Sequence, residues 1–132
     1  LLVSIPVGIN SEAITPVTYE TVVQEVTWTF DTLLPHLAEK YNQDEKLARK
    51  IIECESSTKY DAVHENKNEE GEMWSRDWSY WQINDYWHLK EAKRQNYDIV
   101  NSWQDNLEYG FKLLAKDGAM KHWKASSYCW DK

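Results

Sequence analysis

The chain has 132 residues, with 15 basic and 22 acidic side chains, a formal charge of −7 and a mean hydropathy of −0.76. That length suits one domain with a core of its own. The acidic balance excludes a nucleic-acid partner, which needs a basic footprint, and gives no general attraction to anionic membranes or cell walls. Eight tryptophans point to a large core, a surface that stacks on rings, or both.

The opening LLVSIPVGI is too short to span a bilayer, and no later run is long enough, so no stable membrane insertion is expected. Residues 1–17 hold two of the three prolines and show no clear period, which predicts an irregular lead-in before a single domain over 18–132. Val22, Val23, Val26 and Phe30 fit a helix over 18–30, although their β-branched content also fits a strand. Asp31 is a good N-cap for a helix over 32–41 that turns Leu33, Leu34, Leu37 and Tyr41 inward. Asn42 and Glu45 resemble a capping box, starting a helix that runs to Glu55 or Ser56.

NKNEEG is a polar turn between DAVHE and EMWSRDWSYW, which predicts a small antiparallel hairpin within 59–83. A short helix is expected over 88–95. Ser102 with Asp105 starts another, with Trp103, Leu107, Phe111 and Leu114 on one stripe, ending at Asp117-Gly118. AMKHWKASSYCW reads as one or two helical turns. The fold class is α+β, mainly α, with one small β element.

The segment IIECESS, residues 51–57, places two glutamates around a cysteine. On a wheel of about 100° per residue, Leu47, Ala48, Ile51, Ile52, Cys54 and Glu55 share one arc. Glu53 lies opposite with Lys46, Arg49 and Lys50, and Arg49 can pair with it four residues on. Glu55 is the anomaly: a carboxyl group directed at apolar neighbours near a helix C-terminus. Burial and the negative end of the helix dipole both disfavour its charge. A carboxylic acid that keeps its proton can donate it to a leaving group. The plainer alternative is that the helix frays at Ser56 and Glu55 reaches water.

Cys54 and Cys129 fit no zinc spacing; they allow one disulfide or two buried thiols. His36, His64, His88 and His122 show no ligand spacing. Asn66, Asn68, Glu70 and Gly71 faintly echo a calcium loop, but its twelfth position would be Asp77 rather than Glu, and a plain turn is the better reading. No metal or cofactor is expected, and a monomer is.

The segments CESSTKYDAVHEN, SRDWSYWQINDYWH and DNLEYGFKLLAKDGAMKHWKASSYCW, taken in order over residues 40–130, resemble the lysozyme superfamily. They are most similar to small lysozyme-like and soluble lytic transglycosylase domains. The shared pattern is Glu55-Ser56 ending a helix, Ala62 and Asn66 on a hairpin, Gln82-Ile83-Asn84, and a C-terminal helix before Trp123. The resemblance implies a helical domain with a small hairpin flanking an active-site cleft, and Glu55 as general acid. Asp77, five residues before Gln82, stands where C-type lysozymes carry an aspartate. The resemblance also implies Trp123 beside the acid and a Cys54–Cys129 disulfide, hence a secreted, periplasmic or phage-associated protein. There are departures. Ser79-Tyr80-Trp81 replaces Gly-Leu-Met or Gly-Ile-Leu, and ASSYCW replaces the transglycosylases' Tyr-Asn-Ala-Gly, leaving Tyr128 to do part of its work.

The activity implied is cleavage of the β-1,4 MurNAc–GlcNAc bond of peptidoglycan glycan strands. An Asp77 about 5 Å from Glu55 gives hydrolysis with retention, one at about 6.5–9.5 Å gives inversion, and one pointing away leaves the 1,6-anhydro route. For Asp77 the plainer alternative is a hairpin aspartate paired with Arg76 or a backbone amide. Trp74, Trp78, Tyr80, Trp81, Tyr86 and Trp87 crowd one window. By alternation about half must face the core. The expected substrate contacts are Ser56, Tyr80, Gln82, Asn84, Trp87, Trp123 and Tyr128. The competing reading is a catalytically silent glycan-binding or interaction protein on the same fold.

Overall fold

The four longer helices begin where short polar side chains accept from backbone amides that lack a partner inside the helix. The computed structural model describes residues 2–7, 16–23 and 25–132. In it, α1 (Phe30–Lys40) starts at Thr29, whose hydroxyl and that of Thr32 each accept from the other residue's amide. Asp44 caps α2 (Glu45–Ser56) by accepting from Lys46 and Leu47. Asn84 caps α3 (Asp85–Arg94) and Ser102 caps α4 (Trp103–Asp117). After Gly118, at φ +79°, come α5 (Ala119–Trp123), a 3-10 turn over 124–126 and α6 (Ser127–Trp130).

Two expected starts are therefore displaced. Asp31 lies inside α1 because Thr29 and Thr32 form a reciprocal cap. Asn42 sits in the connecting turn at φ +52°, and Asp44, two residues on, does the capping. Arg49 pairs with Glu45 at 3.6 Å and Asp31 at 3.4 Å, not with Glu53. Glu53 instead accepts from Thr58.

The expected helix over 18–30 is corrected. Residues Leu2–Val7 (β1) and Thr18–Val23 (β2) pair antiparallel, from Leu2 opposite Val23 to Val7 opposite Thr18. The valines satisfied both periods, and pairing with β1 decided between them. The lead-in is likewise a strand over 2–7, while 8–15 lie outside the described residues. The principal contacts of β1 and β2 are with each other, and Leu2, Val3, Tyr19 and Val22 are exposed.

The second sheet has the order β3 (Val63–Lys67), β4 (Met73–Trp78), β5 (Ile83–Asn84), all antiparallel. Its hairpin turn closes through Asn68, which bonds Glu72 by backbone and side chain, and Gly71 takes φ +81°. Asn66 lies opposite Ser75, and Asp77 lies opposite both His64 and Asn84. The side chains of Asn66, Ser75, Asp77 and Asn84 are bonded together on one face.

Sheet and helices meet over Trp81, which is fully buried. Its indole crosses Phe111 edge-on at 5.3 Å, lies 4.7 Å from Trp123, and donates to the Leu107 carbonyl. Gly110 makes this possible, since a Cβ there would overlap the Trp81 ring. Buried Asn106 donates to the carbonyls of Trp78 and Ile99, tying α4 to the end of β4. Leu34, Leu37, Ile51, Ile52, Leu107 and Phe111 complete the core. A disulfide joins Cys54 in α2 to Cys129 in α6. The fold is α+β, roughly half helical, with two small antiparallel sheets. No helix among the described residues is long and apolar enough to cross a membrane.

Candidate functional site

Glu55 lies in the last turn of α2, where Ser57 adopts a left-handed conformation and ends the helix. It lines a cleft of about 190 Å³ together with Asp77, Gln82, Ile83, Asn84, Leu113, His122, Trp123 and Ala125. One wall of this cleft is helical and the other is the β4–β5 sheet.

On the helical wall, Glu55 is half-buried, and its Oε1 accepts from the Ser126 hydroxyl. Burial pushes the carboxyl above the ordinary glutamate range. The Ser126 bond pulls it partly back, and the charge of Asp77 raises it further. The helix therefore does not fray into solvent at Glu55. Ser126 also receives the Trp130 indole N–H, and Trp130 donates to the Trp123 carbonyl as well. Trp123 is buried and donates to the Trp81 carbonyl, which holds its ring over the core.

On the sheet wall, Asp77 accepts from the amides of Asn84 at 2.7 Å and Asn66 at 3.1 Å. Both amides also donate to the Ser75 hydroxyl. Arg76 is not its partner; that guanidinium pairs with Glu65. Asn84 spends its oxygen on capping α3. Gln82 takes φ +51° and donates to the carbonyls of Ala62 and Ser79. Its side-chain oxygen makes no hydrogen bond among the described residues, so it is the acceptor this wall can offer to a bound hydroxyl or amide.

The remaining expected contacts lie elsewhere. Ser56 is buried, and its hydroxyl bonds the carbonyls of Ile52 and Tyr80, clipping α2 to the loop after β4. Tyr80 is a core residue packed on Phe30 and Trp103. Trp87 is exposed and abuts Tyr86, which in turn meets Trp74, forming an open aromatic surface. Tyr128 is exposed and makes no hydrogen bond or ring contact among the described residues, so the residue of ASSYCW that reaches Glu55 is Ser126.

Ser126, which bonds Glu55, and His122, which lines the cleft, are the polar residues that sequence reasoning missed. Ser126 stands one helical turn before Cys129, and Cys129 is bonded beside Glu55, so the disulfide itself was the signal. His122 bonds Asp117 at 2.7 Å and lies 5.3 Å from the His88 ring. Burial and His122 together lower the His88 pKa. Among the described residues no group of three or more His, Cys, Asp or Glu could hold a metal ion.

The cleft thus offers one partly dehydrated acid and one fixed carboxylate facing a common space. A larger open groove, about 510 Å³, runs along Leu89, Tyr97 and Val100. Its carboxylates, Asp98 and Asp105, are taken up by backbone amides, so it has no comparable acid. No model of a protein family matches the chain, nor does any curated protein or solved structure.

Proposed function

We propose that the protein is a peptidoglycan-cleaving glycosidase of the lysozyme type, acting on the β-1,4 MurNAc–GlcNAc bond with Glu55 as general acid. The observation that carries the reading is the Glu55 carboxyl, half-buried in a cleft and raised in pKa chiefly by burial. An acid poised near the working pH donates to the glycosidic oxygen as positive charge develops on the sugar. The ordered motifs over residues 40–130 support the lysozyme-like fold assignment.

Asp77 lines the same cleft with both oxygens held by carboxamides. That supports its use against the cationic sugar, by forming or shielding a glycosyl intermediate, and hence hydrolysis over 1,6-anhydro ring closure. The unpartnered oxygen of Gln82 is the proposed sugar contact inside the cleft, and the exposed ring of Trp87 is proposed to meet the strand outside it. The Cys54–Cys129 disulfide supports an extracytoplasmic setting, secreted, periplasmic or phage-associated.

One observation favours the second reading, a catalytically silent glycan-binding protein. The hydroxyl of Ser126 donates to Glu55, which stabilises the ionised form and opposes proton donation. Turbidity loss of a peptidoglycan suspension separates the two. Wild type clears it, and Glu55→Gln is slower by on the order of 100-fold or more, the usual share of a general acid. Equal clearing by both proteins would remove Glu55 from the chemistry. No clearing by either would leave the binding reading. Fragment masses report the product, since anhydro sugars are lighter by one water.

A further inference from the structure

On the opposite face of the β3–β4 hairpin, away from Asp77, a pocket of about 350 Å³ opens between the base of the hairpin and the start of α4. That volume falls at the lower end of ligand sites, roughly 300–1,000 Å³. Its walls include Tyr60, Asp61, Trp78, Ser79, Val100 and Trp103.

Its polar groups distinguish it from the cleft. In the cleft nearly every polar group is spent on another protein group. Here the Tyr60 hydroxyl, the Asp61 carboxylate and the Trp103 indole N–H make no hydrogen bond among the described residues. The Ser79 hydroxyl is buried and has no hydrogen-bond partner among the described residues. Buried polar groups without partners are rare, and each calls for a reason. Ser79 also holds φ +60°, a left-handed conformation that favours glycine. Backbone strain of this kind clusters at ligand-binding and other functional sites.

The two indoles are fixed in place. Trp78 donates to Asp85 at 3.1 Å, and the Trp103 ring meets Tyr80 edge-on at 5.9 Å. Rigid aromatic faces bind with little loss of conformational freedom.

We propose that this pocket is a second, non-catalytic binding site for a neutral sugar residue of a glycan strand. Aromatic faces receive the C–H face of a pyranose, and sugar hydroxyls can both donate and accept. Asp61 needs a donor, whereas Tyr60 and Trp103 offer an O–H and an N–H that each need an acceptor. A quaternary ammonium would suit the rings but would leave all of those donors unmet. No cation lines the pocket, so the lone carboxylate of Asp61 disfavours an acidic ligand. Val100 also belongs to the neighbouring groove of about 510 Å³, which gives a strand room to continue.

The site does not depend on whether Glu55 is a catalyst. The test is therefore run on Glu55→Gln protein, so that no probe is turned over. Tri-N-acetylchitotriose is titrated in while the indole N–H signals are followed by NMR, with Trp103 assigned from Trp103→Phe. The expected result is a saturable shift of the Trp103 signal. In Tyr60→Ala/Asp61→Ala, affinity read at Trp103 falls by about tenfold or more, while any response at Trp87 is retained. Tyr60 and Asp61 are exposed, so their removal leaves the fold intact, and the unchanged remaining signals confirm it. A Trp103 signal that stays still, or shifts equally in the double variant, overturns the proposal. So does a Trp103 shift with choline and none with the sugar.

Discussion

The two walls of the cleft hold their carboxyl groups by opposite means. Asp77 sits on a short sheet whose neighbours, Asn66 and Asn84, supply two amide donors and share them with Ser75. Glu55 sits at a helix end, receives one hydroxyl from Ser126, and is otherwise dehydrated. A carboxylate bonded by donors on both oxygens is held in one orientation. A carboxyl deprived of water is built to exchange a proton. The sheet wall is fixed by local register. The helical wall is fixed by a covalent link across 75 residues.

The largest effect should come from breaking the helical wall at its acid, where Glu55→Gln slows lysis by on the order of 100-fold or more. Next is the link that brings Ser126 to Glu55. Cys129→Ser is expected to cost about 2–4 kcal/mol of stability, read as a lower denaturant midpoint. An unchanged midpoint would mean the wall is held without the disulfide. On the sheet wall, Asn84→Ala removes one amide from Asp77 and the cap of α3, for about 1–2 kcal/mol. It should lower kcat more than it raises KM.

A finer test concerns Ser126. Its bond lowers the Glu55 pKa, so Ser126→Ala should move the alkaline limb of the pH–rate profile to higher pH. A shift the other way would show that the hydroxyl serves the protonated acid instead. The smallest effect is on stability. A raised folded pKa means that ionising Glu55 disfavours the folded state, so its contribution is intact below the unfolded value near 4.5 and lost as pH rises through the folded one. Glu55→Gln should therefore melt a few degrees higher than wild type at neutral pH, and the difference should vanish in acid.

The same contrast explains what could be read from the sequence. The helical arc from Ala48 to Glu55 was legible because a period of 3.6 turns one face inward, and the structure buries Ala48, Ile51 and Ile52 there. The hairpin within 59–83 was legible from its polar turn. The strand over 18–23 was not, because Val22 and Val23 satisfy two periods and its partner lies in a segment without period. The fates of the aromatics were illegible individually. Trp81 turns into the core because Gly110 leaves room for an indole and Tyr80 packs on Phe30 and Trp103, whereas Trp87, at the start of α3, faces out. Ser126 could be ranked above Tyr128 only by following the expected Cys54–Cys129 disulfide through to where it sets Cys129 beside α2.

The central claim is that position 55 holds a carboxylic acid kept from water strongly enough to retain its proton beyond the ordinary range. Titrating the side-chain carboxyl of Glu55 by 13C NMR, with Glu55→Gln to assign the signal, measures this directly. The account predicts a midpoint clearly above 4.5, lowered when Asp77→Asn removes the neighbouring charge. A midpoint at or below that value would contradict it.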